Sequence, residues 1–316
     1  MYQVMEHIWE IESHKSSIKS LARYAEENIE ATDPPLFLRF INLLINDAIF
    51  LLDEALDYMS QIKEKEQAKE RGEWNNMTPD QRQEAEMGLR QLTMISRYHN
   101  VMGNHTIHML ELLTREIKTI FCHNSMVDRI SGMLNYFLVH LVGPKQRNFK
   151  VKDKDEYEFK PQQTVSDISQ IYLNLEEDEH FCIAVVSDGR SYSDDLFPKA
   201  ISVLRKIRKP ATMIESMEKL HEKNQGIASQ QKKEEEMLGD APEEFLDEIM
   251  GTLMKDPVIL PSSRNIVDRA TIARHLLSDQ NDPFNRAPLT LNEVIPHTEL
   301  KDKILKWMDE QRQKSQ

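Results

Sequence analysis

The sequence predicts a mainly α protein in two parts, a long helical region followed by a small α+β module. Two observations carry this. From Met1 to about Gly239, apolar residues recur at three- and four-residue steps, the mark of helices with one buried face. From Ala241 onward, short β-branched runs, turn residues and helix starts alternate at close range. With 316 residues, 40% of them apolar, two domains are favoured over one. Residues 224–239 are poor in apolar side chains and rich in Gln, Lys and Glu. We therefore divide the chain into a helical core domain (1–223), a linker or connecting helix (224–240) and the module (241–316).

In the helical region, Met1–Glu12 carries acids where a signal peptide has basic residues, and the chain opens inside a helical pattern, so we expect a fragment of a longer protein. Ile18, Leu21, Ala22, Ala25 and Ile29 share one face, and Asp33-Pro34-Pro35 stops that helix. Leu36–Ile62 is apolar nearly all round in its first half, at Phe37, Phe40, Ile41, Leu44, Ile45, Ala48, Leu51, Leu52 and Ala55. Arg39, Asn42, Asn46 and Asp47 are costly in lipid, so it reads as a central helix of a helical domain and not as a membrane span. Lys63–Trp74 reads as a solvated helix end and loop. Thr78-Pro79-Asp80-Gln81 is a helix start: Thr as N-cap, Pro at the first position, Gln three after the cap.

Helices follow from Pro79 to about Tyr98, from Thr106 to Phe121 and from Met126 to Val142, the last stopped by Gly143-Pro144. Lys145–Lys160 is a polar loop anchored by Phe149, Tyr157 and Phe159. Pro161 reopens a helix, Gln162–Leu175, with Val165, Ile168, Ile171, Tyr172 and Leu175 inward. Phe181–Val186 suits helix or strand, and Asp188-Gly189-Arg190-Ser191 is a turn. Leu196–Ile207 and Ala211–Leu220 are further helices. Paired helices of similar length without an exact repeat suggest an α-solenoid related to armadillo or HEAT packing.

In the module, Val258–Leu260 and Ile266-Val267 flank the polar turn 262–265 and read as a hairpin. Asp268 sits where a helix N-cap belongs, before Arg269–Leu277. The loop Asp282–Thr290 contains Pro283 and Pro288 and is stiff. Thr298 caps a last helix, with Ile304, Leu305 and Met308 as its apolar positions and Trp307 beside them. A module this small usually relies on a disulfide or a metal. No Cys follows Cys182, and His275 and His297 are its only histidines. Its loops must then be held by hydrogen bonds and charge pairs, from Asp256, Arg264, Asp268, Arg269, Asp282, Asn285 and Arg286.

Composition narrows the chemistry. Acids exceed bases 53 to 40, a net charge of −13, which argues against a nucleic-acid partner. Only Cys122 and Cys182 are present, too few for a disulfide framework or a Cys-rich zinc site, which suits a reducing compartment, cytoplasmic and also nuclear. Cys182 in an apolar run reads as a buried structural thiol and not as a thioester nucleophile. Cys122 and His123 are sequence neighbours that do not face each other. His105, His108 and Glu111 recur at three-residue steps and invite a metal reading. With His105 placed before the helix, chance spacing is the better account. Asp188-Gly189-Arg190-Ser191 has a lone Gly and is no phosphate loop. No metal and no cofactor is expected.

The strings DPVILPSS, VDRATIARHLL and DPFNRAPLT, in that order and spacing, resemble the U-box, the metal-free relative of the RING finger, of the ubiquitin chain-elongation (E-four class) factors. SHKSSIKSLARYAEENIEATDPPLFLRFINLLINDAIFLLDEAL, MLNYFLVHLVGPK, FKPQQ, IYLNL and DGRSYS resemble the helical core of the same family, in its A-type branch. The resemblance implies a ubiquitin-protein ligase that forms no thioester itself. It would recruit a ubiquitin-charged conjugating enzyme and promote transfer to lysine on a substrate or on ubiquitin already attached, feeding proteasomal degradation. It implies docking of the conjugating enzyme through Ile249, Met250, Pro283, Phe284 and Pro288, and a ubiquitin-locking role for Arg286. Asp268 and Arg269 would be a buttressing pair, and Asp282 and Asn285 part of the same structural network. Ile249 as simple core, and Arg286 as a tie to Asp282, stay open as alternatives. Gly251 departs from U-boxes that carry a bulky apolar contact there. A second functional class is a non-catalytic adaptor that delivers ubiquitinated clients to a valosin-containing AAA ATPase segregase.

Overall fold

The structure, a computed structural model, describes residues 12–28, 35–238 and 241–314. The expectations placed on Met1–Ile11, Ile29 and Asp33-Pro34 fall outside the described residues. The helical region comprises α1 (Glu12–Glu27), α2 (Leu36–Glu70), α3 (Pro79–Glu116), α4 (Lys118–Cys122), α5 (Val127–Val142), α6 (Pro161–Leu175), α7 (Glu179–Ser187), α8 (Leu196–Lys206) and α9 (Ala211–Leu238). No described helix is long and apolar enough to cross a membrane.

The long α2 and α3 pack on each other and form the spine of this region. Helix α2 runs eight residues past Ile62, because Lys, Glu and Gln sustain a helix without a buried face. Helix α3 opens on the predicted capping box: Thr78 Oγ1 accepts from the Gln81 N–H, and the Gln81 side chain accepts from the Thr78 N–H. The gap expected between Tyr98 and Thr106 is absent: α3 runs unbroken to Glu116, and after Ile117 the short α4 follows. The apparent breakers inside it are packing residues. A Cβ on Gly103 would stand 2.8 Å from Leu52 Cδ2, so this glycine permits close approach of α2 and α3. The Asn100 amide donates to the Tyr157 carbonyl at 2.9 Å.

One apolar core runs through the region from Ala22 to Leu220, and Phe149, Tyr157 and Phe159 are buried anchors of their loop. Leu21, expected inward, is 53% exposed: the buried stripe of α1 is the narrower set Ile18, Ala22 and Ala25. Phe181–Val186 is helical, because Asp178 caps α7 by accepting from the Phe181 N–H. Tyr172 donates to Asn135, whose amide donates to Asp188 and the Val185 carbonyl, which holds the 188–191 turn on the core. Helix α9 continues through 224–238, and its Asn224 is fully buried, so that stretch is not wholly solvated.

The module is a three-stranded antiparallel sheet of order β2-β1-β3 with two helices. Strands β1 (Pro257–Ile259) and β2 (Ile266–Asp268) form the predicted hairpin, with Val258 opposite Val267. The unforeseen β3 (Ile295–Pro296) pairs the other edge of β1. Asp268 caps α10 (Arg269–Ser278) by accepting from the Ala270 N–H. Before α11 (Thr298–Lys314), His297 serves as the cap expected of Thr298: its carbonyl accepts from Lys301 and its Nδ1 from Leu300. Leu300 and Ile304 pack with Phe245 and Met254, and Trp307 and Met308 lie against them. Leu305, expected inward, is 51% exposed, because one turn of α11 offers only one side to so small a core.

Helix α10 also touches the helical region. Asn42 of α2 donates to Ser278 Oγ at 3.3 Å, Arg274 pairs with Asp128 at 3.2 Å, and Leu277 packs on the larger core.

Candidate functional site

Two loops of the module combine exposed apolar side chains with a braced backbone. The first, Asp247–Thr252, is organised by Asp247, a residue the sequence reading passed over. Asp247 is 2% exposed. Its Oδ1 accepts from the N–H groups of Ile249 and Met250 at 2.8 and 2.7 Å, and its Oδ2 from that of Asp268 at 2.6 Å. Its carbonyl accepts from Gly251, closing the turn. Glu248 reaches β2, accepting from the Ile266 N–H at 2.8 Å and from the Asn265 amide. The loop is thus fixed from beneath while Ile249 and Met250 stay 43% and 46% exposed. That exposure removes the core reading of Ile249. Gly251 holds φ +65°, a left-handed conformation in which a bulky residue is strained. Asp247 did carry a signal, an Asp whose side chain can accept from the N–H two residues on, as in an Asx turn.

Asp282 plays the corresponding part in the second loop. It is fully buried, and its carboxylate accepts from the N–H groups of Ser263 at 3.1 Å and Phe284 at 2.9 Å. Asp282 and Ala287 are joined backbone to backbone, and the Arg286 N–H donates to the Asp282 carbonyl. Asn285 ties the loop to the hairpin turn through Ser262 Oγ at 2.8 Å and accepts from the Ala287 N–H. Pro283 is half-buried, while Phe284, Asn285, Arg286 and Pro288 are exposed. Arg286 holds φ +62°, a conformation that costs a non-glycine residue about 1 kcal/mol or more and persists only where its surroundings over-determine it. Both oxygens of Asp282 are engaged by backbone, and no hydrogen bond or ion pair to the Arg286 guanidinium occurs among the described residues. The tie between Arg286 and Asp282 is therefore one of main chain, and the charged fork is left to solvent.

Asp268 and Arg269, expected as a buttressing pair, reach different partners. Asp268 accepts only backbone N–H groups, from Lys255 at 2.7 Å, Asp256 at 3.0 Å and Ala270 at 2.9 Å. Arg269 instead meets Asp256 at 2.8 Å, and Lys301 of α11 meets the other oxygen of Asp256 at 2.8 Å. Two of the N–H donors to Asp268 precede β1 and the third lies in the first turn of α10, so the Asp268 carboxylate is engaged by backbone. The Lys301 bond and then the Arg269 bond hold the Asp256 carboxyl below the ordinary carboxylate range, against an opposing effect of burial. Asp256 thus clasps the sheet, α10 and α11, while both loops hang on the β1–β2 hairpin, the first from β2 and the second from its turn.

The other candidates lie elsewhere in the fold. Cys182 is fully buried and its thiol is pushed up by burial; Cys122 is pushed up to about 12 for the same reason. Neither is a thiolate at neutral pH. His123 Nδ1 lies 2.9 Å from Ser125 Oγ. His105 lies within α3 and not before it, and Glu111 is taken by Arg115 at 2.5 Å. No cluster of His, Cys, Asp and Glu suited to a metal occurs among the described residues.

Comparison with known proteins places both parts. The family described as "Ubiquitin elongating factor core" matches residues 1–225, and the "U-box domain" matches residues 241–313. "Ubiquitin conjugation factor E4 A" of Bos taurus is 56% identical over 99% of this chain. "Probable ubiquitin conjugation factor E4" of Arabidopsis thaliana is 40% identical over 96% of it. "E4 ubiquitin-protein ligase UFD2" of Saccharomyces cerevisiae is 37% identical over 88%. The chain spans 29% of the length of each of these three relatives.

Proposed function

The chain belongs to the ubiquitin elongating factor family, and from that premise we propose that it acts as a ubiquitin-protein ligase of the chain-elongating kind. Its module would dock a ubiquitin-charged conjugating enzyme and promote transfer to lysine, on a substrate or on ubiquitin already attached. The observation that carries this reading is the pairing of exposed apolar side chains with a rigid support: Ile249 and Met250 over Asp247, Phe284 over Asp282. A preformed patch binds without a large ordering cost.

The thioester brought by the conjugating enzyme is already activated, and the tethered ubiquitin is the mobile part. Holding it in one attack-competent pose lowers the entropic part of the barrier. Arg286 suits that task, with a fixed backbone and a free planar fork that donates to two proteins at once. Ile249, Met250, Pro283, Phe284 and Pro288 would form the docking surface. Asp268, Arg269, Asp282 and Asn285 would hold it in shape. The helical core would orient the module, and the two buried thiols suit work in the cytoplasm and the nucleus.

The test is reconstitution: the chain with activating enzyme, a panel of conjugating enzymes, ubiquitin and ATP. Ubiquitin chains dependent on Ile249 are the expected result. Absence of chains with every conjugating enzyme would leave the family's helical scaffold as an adaptor for ubiquitinated clients bound for an AAA ATPase segregase.

A further inference from the structure

We propose that a cavity under the 144–160 segment of the helical core is a docking site for an acidic peptide that carries an apolar side chain. The cavity has a volume of about 380 Å³, inside the ~300–1,000 Å³ range of ligand sites. Its floor is apolar: Leu141, Phe149 and Phe159, each more than nine-tenths buried. Arg147, Lys150 and Lys154 also line it, and no carboxylate does.

That charge pattern runs against a chain of net charge −13. It also differs from the other bases of the segment, which are engaged locally. Lys152 pairs with Glu70 at 2.9 Å, Lys160 with Glu158 at 2.8 Å, and Lys145 lies 3.4 Å from His140 Nε2. The side chains of Arg147, Lys150 and Lys154 make no hydrogen bond or ion pair among the described residues. No acid of the segment forms an ion pair with them among the described residues. Asp153 accepts from the Asp155 and Glu156 N–H groups, Glu158 is held by Lys160, and Asp155 and Glu156 do not line the cavity. By contrast, a larger cavity of about 520 Å³ sets Glu111 and Asp167 against Arg115 and Lys209, a balance that selects no ligand class.

The site is preformed. Phe159 is tied to the Lys154 carbonyl at 3.0 Å, Tyr157 to Glu66 of α2 at 3.0 Å and to Asn100 of α3, and the Arg147 carbonyl to Lys63 of α2. Within the cavity lining a short acidic segment meets cations and no carboxylate, and repulsion from more distant acids is screened beyond about 10 Å. A nucleic acid would face the acidic surface along its whole length. On α2, the cavity's ties at Lys63 and Glu66 lie about 32–36 Å from Asn42, where the U-box helix docks, at ~1.5 Å per residue. A peptide held here would sit at the far end of α2 from the ligase module. The site adds a partner class to the ligase reading and is measured without any conjugating enzyme, so either can fail alone.

The probe is a fluorescein-labelled peptide with one phenylalanine between two runs of aspartate, followed by anisotropy at low salt. Saturable binding that weakens with added salt is expected. Combined Arg147→Glu, Lys150→Glu and Lys154→Glu should weaken it about tenfold or more, while Lys206→Glu on α8 leaves it unchanged. Replacing the peptide's phenylalanine by glycine should also weaken it, a readout that needs no protein variant. No saturable binding by the unmodified chain, equal affinity of the triple variant, or tighter binding of a single-stranded oligonucleotide would each overturn the proposal.

Discussion

In the proposed function Ile249 docks and Arg286 locks, and the geometry separates the phenotypes expected of the two. Ile249 is exposed on a turn whose bonds are made by Asp247 and the backbone, so Ile249→Ala removes no core contact. Thermal melting should stay within a degree or two, while affinity for the conjugating enzyme falls by about 1–2 kcal/mol or more. Calorimetry of binding beside a melt separates the two; a much earlier melt with normal binding would return Ile249 to the core. Arg286→Ala should spare affinity for the uncharged enzyme and slow discharge of thioester-linked ubiquitin onto free lysine. One or two charge-assisted hydrogen bonds are worth about 1.5–3 kcal/mol, roughly a tenfold to hundredfold loss of rate. Lysine at this position should rescue only in part, since it lacks the planar fork. Single-turnover discharge at normal rates would refute that role.

The three-way clasp of β1, α10 and α11 by Asp256 sets the module's response to acid. The folded-state carboxyl titrates below its unfolded value, so its contribution is present above the unfolded value, near ~3.9, and is lost as the pH falls through the folded one. Asp256 is 38% exposed, and each of its pairs is worth about 0.2–1 kcal/mol in low salt. Asp256→Asn should lower the melting temperature at neutral pH and flatten its decline below pH 4, measured in parallel melts. Excess chelator should leave the melting of residues 241–314 unchanged, because carboxylates and backbone N–H groups fasten both loops; unfolding by chelator would contradict this. Much of this scale was legible in the sequence. The hairpin, the Asp268 cap and the Thr78 capping box are local patterns whose chemistry lies within a few residues. What was missed depends on distant partners. The helix expected to end near Tyr98 runs on through Asn100 and Gly103, which pack on Tyr157 and Leu52, and Arg269 finds Asp256, thirteen residues earlier in the chain. Leu21 and Leu305 show the converse, since periodicity assigns a face but not the width that a neighbour covers.

Helical core and module meet through a small polar junction, and its chemistry makes it adjustable. Arg274 of α10 reaches Asp128, and Arg129 beside it donates to Asn46. Burial, and next the Arg274 charge, push the Arg129 guanidinium downward in pKa, so two like charges share the junction. The Arg129 Nε and the Asn42 Oδ1 are buried without a protein partner, which further weakens this contact. Leu277 is the apolar residue α10 contributes to the larger core. The Arg274–Asp128 bridge and the Asn42–Ser278 hydrogen bond are the directional bonds between α10 and the core, while most residues of each apolar cluster come from one part. Arg274→Glu turns that attraction into repulsion. It should alter melting by under about 1 kcal/mol, because the pair is partly exposed, and leave affinity for the conjugating enzyme unchanged. It should broaden the distance distribution between spin labels on α3 and α11, and slow elongation on a substrate bound to the core more than discharge onto free lysine. Adding Asp128→Arg restores an oppositely charged pair and should narrow the distribution again. An unchanged distribution in Arg274→Glu would mean that α9 and α11, which also touch, fix the module without this bridge.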